Sequence, residues 1–190
     1  MTKKYSKINE LILTFFYCGK AKKAPGTFGT IGAMLFWFFI NDYFVTNNYP
    51  IIIQFFFWII LTILLCAYSF HAIPKYHLIK NSKDIDHKSI VVDEAVGIFI
   101  ALEIFNFSGC DIYILNQPKF MIYLFLCFIL FRFFDIKKPW IIGICDRKIK
   151  NSFGVMFDDI MCGIIAGVIT LVVYKFTLNS QFFSLINCQN

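Results

Sequence analysis

Apolar residues arrive along this chain in long blocks separated by short polar stretches. Five blocks stand out, at about residues 27–45, 51–73, 90–107, 121–134 and 159–178. A helix that crosses a bilayer needs about 20 mostly apolar residues, so each block predicts a membrane span. The second is the cleanest, with no charge in it, whereas the third and fourth are short or carry charge. The expected fold is therefore all-α: a polytopic integral membrane helical bundle of four to five transmembrane helices. No internal repeat or low-complexity linker interrupts it, which makes residues 1–190 a single membrane domain with 1–26 as its N-terminal segment. Residues 8–18 form a further apolar patch, too short to span and containing Glu10. Lys3, Lys4 and Lys7 ahead of it resemble the start of a signal peptide. No small-x-small cleavage site follows, so the patch is expected to be retained.

Composition supports the membrane reading. Hydrophobic residues make up 58% of the chain and the mean hydropathy is +0.67, beyond the roughly half-apolar composition of soluble domains. Charge then sets the orientation. Of the 18 cations, 15 fall in residues 1–26, 74–89 and 135–158; connections 46–50 and 179–190 have none, and 108–119 has Lys119 alone. With five spans, basic and non-basic segments alternate, and the positive-inside rule places the N-terminus and the three basic segments in the cytoplasm.

The seven cysteines include no Cys-x-x-Cys pair, and Cys66, Cys127 and Cys162 lie in or beside apolar blocks. They are expected to be reduced, space-filling thiols. His71, His77 and His87 match no metal-ligand spacing.

Four polar stretches carry the candidate chemistry, all on the expected cytoplasmic side. The first is Lys22-Lys23-Ala24-Pro25-Gly26-Thr27-Phe28-Gly29-Thr30. Pro and Gly break the helix there, and amides and hydroxyls of Gly26, Thr27 and Thr30 can face an anion at the start of the next span. Alternatively Gly26, Gly29 and Gly32 form a close-packing stripe between helices. The second stretch, Asp86-His87-Lys88-Ser89-Ile90-Val91-Val92-Asp93-Glu94, drives two adjacent carboxylates into an apolar helix. Such acids are costly in a membrane unless paired or bound to a cation. The third, Phe131-Arg132-Phe133-Phe134-Asp135-Ile136-Lys137-Lys138-Pro139-Trp140, offers three cations for a phosphate and Asp135 for a metal. The fourth, Gly154-Val155-Met156-Phe157-Asp158-Asp159, is a second acidic pair at the mouth of a span. Hard divalent cations prefer oxygen ligands, and Mg²⁺ takes one or two carboxylates together with substrate phosphate. Two acidic pairs, Asp135 and a basic surround on one face predict a metal-assisted phosphate site. Glu103 lies two turns or more deeper in the third span and is not expected to be catalytic.

These four motifs, in this order over residues 19–167, resemble the bacterial phosphatidylglycerophosphatase A family. The family's Pro-Lys-Ala-Pro-Gly-Thr-x-Gly-Ser stretch is similar to Lys22–Thr30, and its Asp-Pro-x-x-Ile-Val-x-Asp-Glu motif to Asp86–Glu94. Its Phe-Arg-x-Phe-Asp-Ile-x-Lys-Pro-Trp motif is matched at Phe131–Trp140, and its Gly-Val-Met-x-Asp-Asp motif at Gly154–Asp159. Lys22, Thr30, His87 and Ile141 depart from the usual Pro, Ser, Pro and Pro, and Asn151 and Ser152 replace a Gly pair; none of these removes a carboxylate.

The resemblance implies a Mg²⁺-dependent lipid phosphatase that converts phosphatidylglycerophosphate to phosphatidylglycerol in the bacterial inner membrane. Its expected partners are the bilayer and the phospholipid substrate, with no nucleic acid. Asp93, Glu94, Asp135, Asp158 and Asp159 are the candidate metal ligands and, with Lys138, the candidate catalytic residues. Lys23, Gly26, Thr27, Thr30, Arg132 and Lys137 are the candidate phosphate binders. No Cys precedes an Arg by six positions, so a tyrosine-phosphatase loop is excluded, and the Asp-Gly-x-x-Ala-Arg core of a phosphatidyltransferase is missing. A non-enzymatic membrane protein or transporter subunit would line a path through the bilayer with its polar residues, whereas here they gather at one face. Gly163 and Gly167 form a Gly-x-x-x-Gly pair that permits close helix packing within one chain or in a homodimer.

Overall fold

The computed structural model describes residues 7–80, 88–107, 118–139, 143 and 152–187; Asp86, His87, Trp140 and the side chain of His77 lie outside that description. Among the described residues there are six α-helices and no strand. They are α1 (Lys7–Leu13), α2 (Pro25–Thr46), α3 (Ile51–Lys80), α4 (Val92–Phe107), α5 (Pro118–Lys137) and α6 (Ser152–Asn187), with a 3₁₀ turn at Cys18–Lys20. The all-helical expectation holds. Three helices are long and apolar enough to cross a membrane, over Pro25–Thr46, Ile51–Tyr76 and Phe153–Thr177. The other two expected spans are helices as well. Among the described residues α4 covers 16 positions, and α5 carries Lys119, Arg132, Asp135 and Lys137.

Two boundaries differ from the block pattern. Helix α3 runs through Pro74 to Lys80 rather than stopping at residue 73; proline removes one hydrogen-bond donor, and an otherwise continuous helix tolerates this at a kink. Helix α6 starts at Ser152, so Asp158 and Asp159 lie inside its second turn rather than at a loop junction.

Val92, Ala95, Val96, Ile98, Phe99, Ala101 and Leu102 are all fully buried, so α4 is wrapped by its neighbours and presents little surface to a surround. The outer helices do the opposite: Phe39, Ile60, Ile63, Leu64, Val172 and Phe176 are each more than half exposed. Contiguous apolar exposure of this kind suits lipid, since soluble monomers rarely show it.

Helix α4 packs most extensively on α6, and the two run parallel. A Cβ on Gly163 would strike the backbone carbonyl of Gly97, and one on Gly167 would come within 2.7 Å of the Ala101 carbonyl oxygen. The Gly163–Gly167 pair therefore works within the chain, letting two backbones touch. The short N-terminal patch does not span. After α1 the chain reverses through Phe15, Phe16 and Tyr17, all with positive φ. The Leu13 carbonyl then accepts a hydrogen bond from Val91 N at 3.0 Å, pinning α1 to the entry of α4.

Candidate active site

The four motifs meet at one end of the bundle. The first turns of α2 and α4, the turns of α6 around Asp158 and Asp159, and the end of α5 with Lys138 supply the side chains, so the positive ends of α2 and α4 lie at the site. Helix α2 begins after Ala24, whose φ of 48° turns the chain, with Pro25 in the first helical position. Gly26 follows, and a Cβ there would collide with Glu94 Oε1 and approach Arg132 Nη2 to 3.2 Å. Gly26 is thus the gap through which α4 and α5 bring their charged groups together. Gly29 serves packing instead, facing the Val91 side chain at 2.6 Å from a notional Cβ. The close-packing role is seen at Gly29.

Asp93, Glu94 and Asp159 each offer one carboxylate oxygen, and the three oxygens lie within 4.8 Å of one another. Asp93 and Asp159 are each 4% exposed. Glu94 Oε2 and Asp159 Oδ1 are buried with no hydrogen-bond partner among the described residues. Buried acceptors in that state require a donor or a cation. Three oxygens converging from two helices match the donor set that a hard divalent cation takes from protein. These residues fit a metal ion.

The other two carboxylates are engaged by cations. Arg132 Nη1 donates to Asp135 Oδ2 at 2.5 Å and lies 3.9 Å from Glu94 Oε1. It also donates to Thr30 Oγ1 at 3.4 Å, while the Thr30 hydroxyl itself donates to the Gly26 carbonyl at 2.9 Å. Lys138 Nζ pairs with Asp158 Oδ2. The guanidinium Nε of Arg132 is buried without a partner among the described residues. The five expected metal ligands therefore divide. Asp93, Glu94 and Asp159 face one another; Asp135, which also touches Asp159, and Asp158 pair with the two cations beside them.

The remaining candidates sit as follows. Thr27 is half-buried in the first turn of α2, and Thr30 is fully buried. Lys23 and Lys137 are exposed. Gly97 matters to the site although its sequence surroundings did not mark it. A Cβ there would meet the Asp159 carbonyl oxygen at 2.7 Å and the Phe131 ring at 2.5 Å. Its absence lets α4 approach α6 one turn beyond Asp93, which brings Asp93, Glu94 and Asp159 within reach of one another. Its spacing of four from Asp93, in an apolar run, is the signal that could have found it.

Chemically, the cluster combines an oxygen-only donor set with two positioned cations at the end of an apolar bundle. That describes an all-helical protein, three of whose helices are long and apolar enough to cross a membrane, with a cluster of charges at one end of the bundle. The chain belongs to the phosphatidylglycerophosphatase A family, whose sequence profile matches residues 11–174. It is 37% identical over 93 residues to phosphatidylglycerophosphatase A of Haemophilus influenzae, covering 49% of this chain and 50% of that one. Against phosphatidylglycerophosphatase A of Escherichia coli K12 the identity is 27% over 172 residues, covering 88% and 85%. A Bacteroides thetaiotaomicron protein, provisionally named a phosphatidylinositol-3-phosphatase, is 30% identical over 173 residues, covering 90% and 96%. No solved structure matches the chain.

Proposed function

We propose that the chain hydrolyses the phosphomonoester of phosphatidylglycerophosphate to phosphatidylglycerol and phosphate, using Mg²⁺ held by Asp93, Glu94 and Asp159. Family membership supports the reaction. The observation that carries the site assignment is the convergence of three carboxylate oxygens within 4.8 Å, beside an Arg and a Lys each fixed by its own carboxylate. When bound, Mg²⁺ supplies charge neutralisation at phosphate oxygens and makes a bound water more acidic.

The protein's own groups do the rest. Arg132 and Lys138 face the non-bridging oxygens, where negative charge builds as the ester bond breaks. Asp135 and Asp158 anchor those cations beside the three ligand carboxylates. The free amides in the first turn of α2, at Gly26 and Thr27, add donors to the phosphate. Lys23 and Lys137, exposed beside the site, attract the anionic headgroup from solution. The apolar exterior holds the diacylglycerol portion in the bilayer while the phosphate leaves into water.

The Lys distribution supports a cytoplasmic site and N-terminus, in the inner membrane of a bacterium. Because α4 and α5 have the direction and position of spans between longer neighbours, a five-span arrangement with α4 recessed is the topology proposed. The likeness to a provisionally named phosphatidylinositol-3-phosphatase keeps a second headgroup in view.

The test is phosphate release by purified protein in detergent, with Mg²⁺ and with EDTA. Substrates are phosphatidylglycerophosphate, phosphatidic acid, phosphatidylinositol 3-phosphate and a soluble phosphate ester. Mg²⁺-dependent release favouring phosphatidylglycerophosphate supports the whole reading. Preference for another lipid overturns the substrate, and no release by folded protein overturns the reaction.

A further inference from the structure

The N-terminal hairpin is too short to span, yet its contacts carry it deep along the bundle. The direction of α1 is read from its neighbour α3. The Tyr76 hydroxyl of α3 is hydrogen-bonded to Ser89 Oγ at 2.8 Å, just ahead of α4, so this part of α3 lies at the phosphate-site end. Further along α3 from that end, the Tyr68 hydroxyl donates to Asn9 Oδ1 of α1. Leu11 and Ile12 then face Leu61 and Leu65 across a cavity of about 110 Å³. Helix α1 therefore descends from the phosphate-site end toward the middle of the bundle.

The turn after α1 is the deepest part. The Phe15 ring packs edge-on against Phe36 of α2 and Phe99 of α4, with centroids 6.0 Å from each. Counted from the starts of α2 and α4, these partners lie about 16 and 10 Å along their helices. The chain then climbs back. A Cβ on Gly32 would meet Cys18 Sγ at 2.7 Å, and one on Gly19 would strike the Ser89 carbonyl. Glu10 and Lys20 tie the two limbs together with an ion pair of 3.0 Å.

The exposure of the tip shows what covers it. Leu13, Thr14 and Phe15 are buried against the bundle, whereas Phe16 is 59% and Tyr17 43% exposed. The Phe16 ring lies 5.9 Å from that of Phe36, at the height of Leu35 and Phe39, two of the outward residues of α2. The tip thus continues the apolar exterior that suits lipid on α2 and α3. Its backbone is prepared for that depth. The amides of Phe15, Phe16 and Cys18 donate within the hairpin, and the Leu13 carbonyl accepts from Val91 N. Irregular backbone at membrane depth needs such internal pairing.

We propose that residues 7–20 form a re-entrant hairpin, which enters the bilayer from the face holding the phosphate site, sets Phe16 and Tyr17 among lipid acyl chains, and returns to the same face. This rests on the bundle lying in a membrane and not on the phosphatase reading, so its test needs no turnover.

Full-length protein carrying trifluoromethyl-phenylalanine in place of Phe16 is reconstituted in phosphatidylcholine nanodiscs. Fluorine relaxation is measured with dissolved oxygen, which concentrates in hydrocarbon, with a water-soluble gadolinium chelate, and with lipid spin-labelled midway along its acyl chain. The same probe at Phe39, outward on α2, and at Phe28, exposed in the first turn of α2, sets the two limits. Phe16 is expected to follow Phe39: oxygen and spin-labelled lipid act several-fold more strongly than at Phe28, and the chelate several-fold less. If the probe at Phe16 lowers the thermal unfolding temperature, it is moved to Tyr17, where the same pattern is expected. A response like that of Phe28 would overturn the proposal and leave the hairpin at the membrane surface. Protection from all three agents would overturn it as well, by showing that protein, such as a second copy of this chain, covers the tip.

Discussion

Lys138 stands one residue past α5 with a φ of 41° and pairs with Asp158 in the second turn of α6. The left-handed backbone conformation is unusual for a side chain with a Cβ. It closes α5, with Lys138 N hydrogen-bonded to the Phe134 carbonyl at 2.8 Å, and presents the ammonium to a carboxylate that is 3% exposed. One residue therefore caps a helix, neutralises a buried acid and carries positive charge into the site.

Removing that ammonium should cost both stability and activity. Lys138→Met removes the cation from a buried acid that keeps the Asp159 N–H as a donor, a loss on the order of 2 kcal/mol. Phosphate release should fall by about 100-fold or more as transition-state charge loses its partner. Adding Asp158→Asn should restore most of the stability and none of the activity, as read by thermal unfolding and phosphate release on the same preparations. A single variant as stable as the wild type would show that the pair is not part of the fold.

Glu94→Gln should act in the opposite sense on stability. Asp93, Glu94 and Asp159 crowd like charges in a buried place, and neutralising one relieves that repulsion. In EDTA the variant should unfold at a higher temperature than the wild type. Mg²⁺ should raise the unfolding temperature of the wild type by mass action and that of the variant much less. Equal Mg²⁺ shifts in both proteins would remove Glu94 from the metal site.

Thr30 is expected to act through Arg132. Its hydroxyl links the Gly26 carbonyl to the guanidinium, so Thr30→Val should weaken the hold on substrate phosphate by about 1 kcal/mol, roughly fivefold, from one lost hydrogen bond. The change should appear in KM more than in kcat, and Thr30→Ser should recover it. Failure of the serine to rescue would mean that the methyl packing, not the hydroxyl, is what matters.

The glycines separate packing from chemistry. Gly163→Ala forces α6 off the Gly97 carbonyl and should destabilise by about 1–3 kcal/mol, with activity falling because Asp159 moves. For Gly26→Ala the nearest atoms are the ends of the Glu94 and Arg132 side chains. It should lower phosphate release while leaving the unfolding temperature nearly unchanged. Similar unfolding temperatures for the two variants would contradict this division.

Much of the fold was legible without the structure, because the apolar blocks are long and helices are the form in which such blocks satisfy their own backbone in a bilayer. Boundaries were less so. The second block stops at residue 73, whereas α3 continues through Pro74 to Lys80. Residues 152–158 looked like a loop, and become helix because nothing in Ser152–Phe157 forbids it once α6 is packed on α4. The span count was the least legible feature: α4 is wrapped by its neighbours rather than facing outward, and block lengths alone do not distinguish a buried helix from a lipid-facing one.

The sequence by itself determined which chemistry is on offer. Five acids, Arg132 and Lys138 sit at the ends of apolar helices, where their residue types and spacing already pointed to a phosphate site. It also determined that those ends fall on one side, through the alternation of apolar blocks and basic connections. Only the tertiary structure decided the partners. Asp93, Glu94 and Asp159 face one another because Gly97, Gly163 and Gly167 let two helix backbones touch, and Asp135 and Asp158 instead take the two cations. Residues 93 and 159 are brought together by helix packing across 66 positions of chain, a relationship that local spacing along either helix does not contain.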